Sequence, residues 1–154
     1  AAVLCICLSA TGIYDYVIIL RDNDSAHRMT VNMESSLTDW LSANLKKNDL
    51  LLTPEYTMNE VTMSGAMLYC GWPYYAWSAG YDTYYRAARA VEIYTTASAQ
   101  VLKKTVEEEQ ITYILFEEGM KFEEKECRED VIADTYPLVY QSDDGRIRIY
   151  GTKE

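Results

Sequence analysis

The sequence predicts an α/β fold: a mostly parallel sheet with helices on both faces and a C-terminal antiparallel hairpin. Three observations carry this. Asp49–Thr53 (DLLLT) and Ile111–Phe116 (ITYILF) are short apolar runs of the kind that form strands buried on both sides. Stretches of helical period separate them. An Asp-Gly pair between two β-rich runs marks a hairpin near the end.

The elements follow in order. Ala1–Leu8 (AAVLCICL) is uniformly apolar. It fits either a buried strand or the end of a transmembrane helix lying upstream, since eight residues cannot cross a bilayer that needs about 20. The chain starts on Ala1, as a processed piece does. It lacks the basic region and cleavage site of a signal peptide. Cys5 and Cys7 read as small buried apolar side chains. Tyr14–Leu20 (YDYVIIL) is β-branched and aromatic, which suits a strand or the continuation of an upstream helix. Arg21–Ser25 is turn chemistry, and His27–Met33 alternates as a strand does.

Ser35 and Ser36 are candidate helix caps, with Leu37, Trp40, Leu41 and Leu45 behind them at helical spacing. The strand Asp49–Thr53 follows. Glu60–Cys70 holds two short apolar pieces, VTM and AMLYC. Gly71–Tyr81 reads as an aromatic loop. Asp82 caps a helix reaching about Tyr94, with Tyr85, Ala88 and Val91, or Ala87, Val91 and Tyr94, as its inward row. Ser98 caps another helix, Ile111–Phe116 is a strand, and Lys121–Asp134 is a charged helix with few apolar anchors. Pro137–Gln141 and Arg146–Tyr150 form the hairpin. With no repeat or linker, residues 9–154 read as one soluble α/β domain, with residues 1–8 left as a buried strand or the end of an upstream transmembrane helix.

Composition removes several functions. Fourteen basic against 24 acidic residues leave a net charge of -10. Nucleic acid is excluded as a partner, because phosphate binding needs a basic face. Eleven acids and three bases lie between Glu107 and Asp134. That run reads as a solvated face and not a cation site, since it lacks the spacing of a calcium loop. One His, His27, and four scattered Cys give no zinc pattern, and no metal or cofactor is expected. GxSxG, GxGxxG and P-loop motifs are absent. No catalytic residue is assigned.

The aromatic residues carry the functional signal. Tyr69–Tyr85 (YCGWPYYAWSAGYDTYY) holds six of the 14 Tyr and two of the three Trp. Such side chains join an apolar body to a hydrogen-bonding tip, which suits sugar faces, protein interfaces and membrane interfaces. The binding or interface candidates are Trp72, Tyr74, Tyr75, Trp77, Tyr81, Asp82 and Arg86, with Asp82 and Arg86 at a spacing that permits pairing. The plain alternative is an aromatic loop packed on its own sheet.

Ser9–Asp15, the Trp-bearing stretch Leu37–Asn44, Asp49–Thr53 and above all Ser64–Asp82 resemble the soluble tail of polytopic membrane glycosyltransferases of the GT-C type, broadly the protein mannosyltransferase kind. A strand like Ile111–Phe116 and a closing hairpin complete the likeness. Ala66 departs from it, where such tails often carry an Arg. The resemblance implies transmembrane helices before Ala1 and a position on the extracytoplasmic side of the cell membrane. It places the catalytic carboxylate outside this chain. It implies the protein's own transmembrane domain as partner, with a sugar or polyprenyl-phosphate sugar beside it. Two other classes stand against this reading. One is a free-standing carbohydrate- or small-molecule-binding module. The other is an enzyme using Asp82, Arg86 or Glu55.

Overall fold

The computed structural model describes residues 2–22, 35–57, 60–122 and 125–153, with the side chains of the first segment described at Ser9 and from Gly12 onward. The backbone divides into two units, Ala1–Val31 and Asn32–Glu154.

The first unit contains helix α1, Ala2–Asp22. Tyr14–Leu20, expected as a strand or helix, is helical. β-branched residues tolerate a helix when the apolar run behind them is already helical, because only side-chain entropy opposes it. Ile13, Tyr14, Tyr16, Val17, Ile19 and Leu20 are all exposed within this unit. Among the described residues no helix is long and apolar enough to cross a membrane. The side chains of Cys5 and Cys7, and the strand expected over His27–Met33, lie outside the described residues.

The second unit is the α/β fold. Its five strands are β1 (Leu50–Leu52), β2 (Met67–Leu68), β3 (Tyr113–Glu117), β4 (Leu138–Gln141) and β5 (Ile147–Gly151). They lie in the order β2-β1-β3-β5-β4. β2, β1 and β3 are parallel, while β5 pairs antiparallel with both β3 and β4. The pleat sends alternate residues to opposite faces. Leu52, Ile114, Phe116 and Tyr150 enter one core, and Leu51, Leu115 and Ile149 enter the other.

Helices cover both faces. Leu37 and Leu41 of α2 (Ser36–Asn44) and Val61 of a 3-10 turn (Glu60–Met63) fill the second core. The first is filled by α4 (Thr83–Thr95), α5 (Ala99–Glu108) and α6 (Glu129–Thr135). The expected caps form, since Ser35, Asp82 and Ser98 accept from the backbone N–H of Thr38, Tyr85 and Val101. On α4 the buried row is Ala90, Ile93 and Tyr94, offset from the rows expected, because Tyr85 turns outward.

Two expected elements differ. The loop Gly71–Tyr81 contains a short helix, α3 (Pro73–Ser78), started by a proline at its first turn, where a missing N–H costs nothing. The helix expected over Lys121–Asp134 is confined to α6. Phe122 and Lys125 instead form an isolated antiparallel bridge.

Candidate functional site

The aromatic segment leaves the carboxyl end of β2. It is held from beneath by one carboxylate. Tyr69 is 2% exposed and donates its hydroxyl to Glu109 at 2.7 Å. Tyr85, at the other end of the segment, donates to the same carboxylate at 2.6 Å. Arg89 donates to Glu109 at 3.0 Å and pairs with Glu92 and Glu108. Burial opposes charge on Glu109, but the hydrogen bonds from Tyr85, Tyr69 and Arg89 outweigh it and hold the pKa below the ordinary value. Burial pushes the Tyr69 hydroxyl pKa well up, and the Glu109 partner adds to this. Both tyrosines stay neutral donors.

Arg86 sits inside this closed segment. Its guanidinium donates to the Tyr69 carbonyl at 3.0 Å and lies over the rings of Tyr69 and Tyr81, at 5.3 and 6.0 Å from their centroids. The pairing of Asp82 with Arg86 that their spacing permits does not form. The Asp82 carboxylate is used as the α4 cap, 3.0 Å from the Tyr85 N–H.

The other site residues face outward. Trp77 is 60% exposed and Tyr75 71%, with Tyr74 and Tyr81 similar. No side chain of α3 is buried. The Tyr74 ring meets those of its neighbours, Tyr75 at 6.0 Å and Trp77 at 6.2 Å between centroids. This is an aromatic surface on a clamped base, and not a loop folded onto its own core. Trp72 is the exception, 36% exposed and met edge-on by Tyr56 at 5.2 Å.

Tyr56 leads to a second feature that sequence reasoning missed. The chain leaves the carboxyl end of β1 through the turn Pro54–Thr57, closed by the Thr57 hydroxyl on the Pro54 carbonyl at 2.7 Å. Tyr56 stands there at φ 59, the left-handed region that favours Gly or Asn. A cleft of about 840 Å³ opens between this turn, the α4 face around Val91 and the segment after β3 that carries Lys121, Phe122 and Lys125. Ligand clefts of α/β sheets form beyond the carboxyl ends of strands, and this is such a place. Just before the turn, Thr53 is wholly buried and its hydroxyl has no hydrogen-bond partner among the described residues. The signal in the sequence was a Tyr inside a turn that follows a buried parallel strand.

Chemistry of bond cleavage is not assembled at either feature. Glu55 lies beside the Cys70 thiol, with Sγ 4.0 Å from Oε1. Burial, with Glu55 adding to it, pushes the Cys70 pKa up to about 11, so it remains a thiol and a poor nucleophile. Among the described residues no group of His, Cys, Asp and Glu could hold a metal ion. The acidic run of Glu107–Asp134 is partly paired: Glu129 takes both Arg148 and the Tyr150 hydroxyl, and Asp130 takes Arg128.

The fold and site together describe an α/β domain that displays aromatic side chains on its surface. No family model matches the chain, and no curated protein matches it. Its fold is similar to that of the C-terminal globular domain of an oligosaccharyltransferase from Archaeoglobus fulgidus, with a TM-score of 0.51. The likeness covers 82% of this chain and 99% of that domain at 14% identity. At that identity it is a likeness of fold.

Proposed function

We propose that this chain is a non-catalytic domain of a membrane-embedded glycosyltransferase, placed on the extracytoplasmic side of the cell membrane. There it supports the acceptor or lipid-linked sugar side of an active site built elsewhere in the protein. The observation that carries the reading is the fold likeness, which spans nearly all of a domain that ends an oligosaccharyltransferase. The outward aromatic surface of α3, held by Glu109, is its natural working face, because Tyr and Trp pack against sugar rings and keep their polar tips wet. The partner is the protein's own transmembrane part, with a sugar or polyprenyl-phosphate sugar between them.

The test is transfer from a polyprenyl-phosphate sugar. The chain alone is expected to give no turnover. The full-length protein is expected to lose transfer when Tyr74, Tyr75 and Trp77 are changed together to Ser. Turnover by the chain alone, or full transfer by that triple variant, would remove the reading.

A second reading, a free-standing carbohydrate- or small-molecule-binding module, is favoured by the 840 Å³ cleft, whose size suits a ligand without help from another domain. It differs in one expectation: the full-length protein would contain no transmembrane part beside this domain.

A further inference from the structure

We propose that the cleft beyond β1 and β3 binds a neutral oligosaccharide, with Tyr56 as the platform for one sugar ring. This rests on the sugar-side reading above and gives it a second location, apart from α3.

The argument starts from the mixture of groups around the cleft. Tyr56 and Phe122 supply aromatic surface. Tyr56 is 58% exposed, and Phe122 is backed by Tyr94, whose ring stacks on it at 5.2 Å. Glu55 is a half-buried acceptor, and Lys121 and Lys125 are exposed donors that form no ion pair with a described residue. A ligand that uses both a carboxylate and two ammonium groups must donate and accept hydrogen bonds. Sugar hydroxyls do both. An anionic ligand would meet Glu55 and a chain that carries Glu117, Glu118 and Glu126 close by in sequence. A cationic one would meet the two lysines. A neutral polyol with apolar ring faces answers the whole set.

Two further features agree. Tyr56 keeps a left-handed backbone where Gly or Asn is the easier choice, and strained residues of this kind gather at ligand sites. Tyr56 also touches Trp72, the first aromatic residue of the segment after the Cys70-Gly71 pair, so the cleft and the aromatic segment share a boundary.

The test is an NMR titration of the ¹⁵N-labelled chain with linear mannose and N-acetylglucosamine oligosaccharides. Saturable shifts are expected at residues 54–56, 87–91 and 121–125. Tyr56→Phe keeps the ring and is expected to bind as the parent does. Tyr56→Gly, which suits the backbone but removes the ring, is expected to weaken binding at least about tenfold, roughly the worth of one aromatic contact. Should Tyr56→Gly fail to fold, Lys121→Met with Lys125→Met provides an independent check, with weaker binding and an unchanged unfolding midpoint expected. Saturable shifts confined to Pro73–Arg86 would overturn the cleft assignment and leave the sugar-side reading standing. No saturable shift with either oligosaccharide would overturn the cleft assignment, while the transfer assay of the full-length protein tests the sugar-side reading separately. Equal binding by Tyr56→Gly and the parent would overturn the platform role of Tyr56.

Discussion

The two ends of the parallel strands differ in what they do with their polar groups. At the amino ends of β1 and β3 the polar groups close on one another. Asp49 accepts from the Lys46 N–H at 2.8 Å and from Lys153 at 3.1 Å. Thr112 bonds Leu50 through both its N–H and its hydroxyl, and Thr152 bonds the carbonyls of Thr112 and Ile111. A cleft of about 750 Å³ lies here too, its lining including Asn48, Ile111, Thr152 and Lys153. At the carboxyl ends the Thr53 hydroxyl has no partner among the described residues, Lys121 and Lys125 pair with none of them, and the rings of Tyr56 and Trp72 face solvent in part. Clefts of similar volume therefore carry different meanings. One end uses its hydrogen-bonding capacity to hold the sheet, and the other is the end proposed above to take a ligand.

The left-handed residues make the same point. Gln110 (φ 55) follows the end of α5, where the Ile111 N–H reaches back to the Val106 carbonyl at 3.1 Å, an ordinary helix stop. Tyr56 (φ 59) ends no helix; it lies in the turn after β1, its N–H donating to the Gly71 carbonyl at 3.3 Å and its side chain at the cleft.

Substitutions can break this comparison, and the largest effect is expected at Glu109. Glu109→Ala leaves the buried Tyr69 hydroxyl without its partner and removes one of the three carboxylates paired with Arg89. It is expected to cost about 3 kcal/mol in urea denaturation. It should also speed amide exchange across residues 72–82 before the rest of the unit opens. Uniform exchange would mean that the carboxylate does not hold the segment.

Asp49→Ala comes next, at about 2 kcal/mol, because it removes the acceptor of one backbone and one lysine bond. Burial works against the Asp49 charge, but the Lys46 N–H and Lys153 outweigh it and hold the pKa below its ordinary value. A depressed carboxylate stabilises the fold above the unfolded value of about 3.9 and ceases to as pH falls through the folded one. Stability of the parent is therefore expected to fall more steeply below about pH 4 than that of Asp49→Asn, as followed by denaturant midpoints.

Glycine at the two left-handed positions gives a smaller and more discriminating effect. Gln110→Gly is expected to gain up to about 1 kcal/mol, since Gly fits the helix stop without a Cβ penalty. Tyr56→Gly gains the same relief but loses the edge contact with Trp72, so its midpoint should move by less than about 1 kcal/mol. The smallest effect is expected on α3: Tyr74→Ser, Tyr75→Ser and Trp77→Ser should each change stability by less than about 0.5 kcal/mol, because nothing of α3 is buried. A loss there as large as at Glu109 would make the aromatic surface part of the packing.

Much of this architecture was legible in the sequence, for definable reasons. The Asp49–Thr53 and Ile111–Phe116 runs are too short and too apolar for anything but buried strands, and Ser35, Asp82 and Ser98 announce their helices. The aromatic segment was visible because composition survives any error in secondary structure. What escaped depends on three dimensions. Tyr14–Leu20 suits strand and helix equally, and the apolar run before it decided. The pairing of Asp82 with Arg86 was allowed by spacing but lost to the helix cap and to the Tyr69 carbonyl. Glu109 and Tyr69 lie 40 residues apart, and the cleft gathers residues from three separate segments, so neither the clamp nor the cleft has a local signature.

The measurement that tests the account most directly is an amide chemical-shift map of the labelled chain with a polyprenyl-phosphate sugar in micelles, against empty micelles. Sugar-dependent shifts are expected on Trp72–Arg86 and at the cleft of Tyr56, with the amino-end residues Asn48, Ile111 and Thr152 unmoved. Shifts centred on those amino-end residues, or none that depend on the sugar, would contradict it.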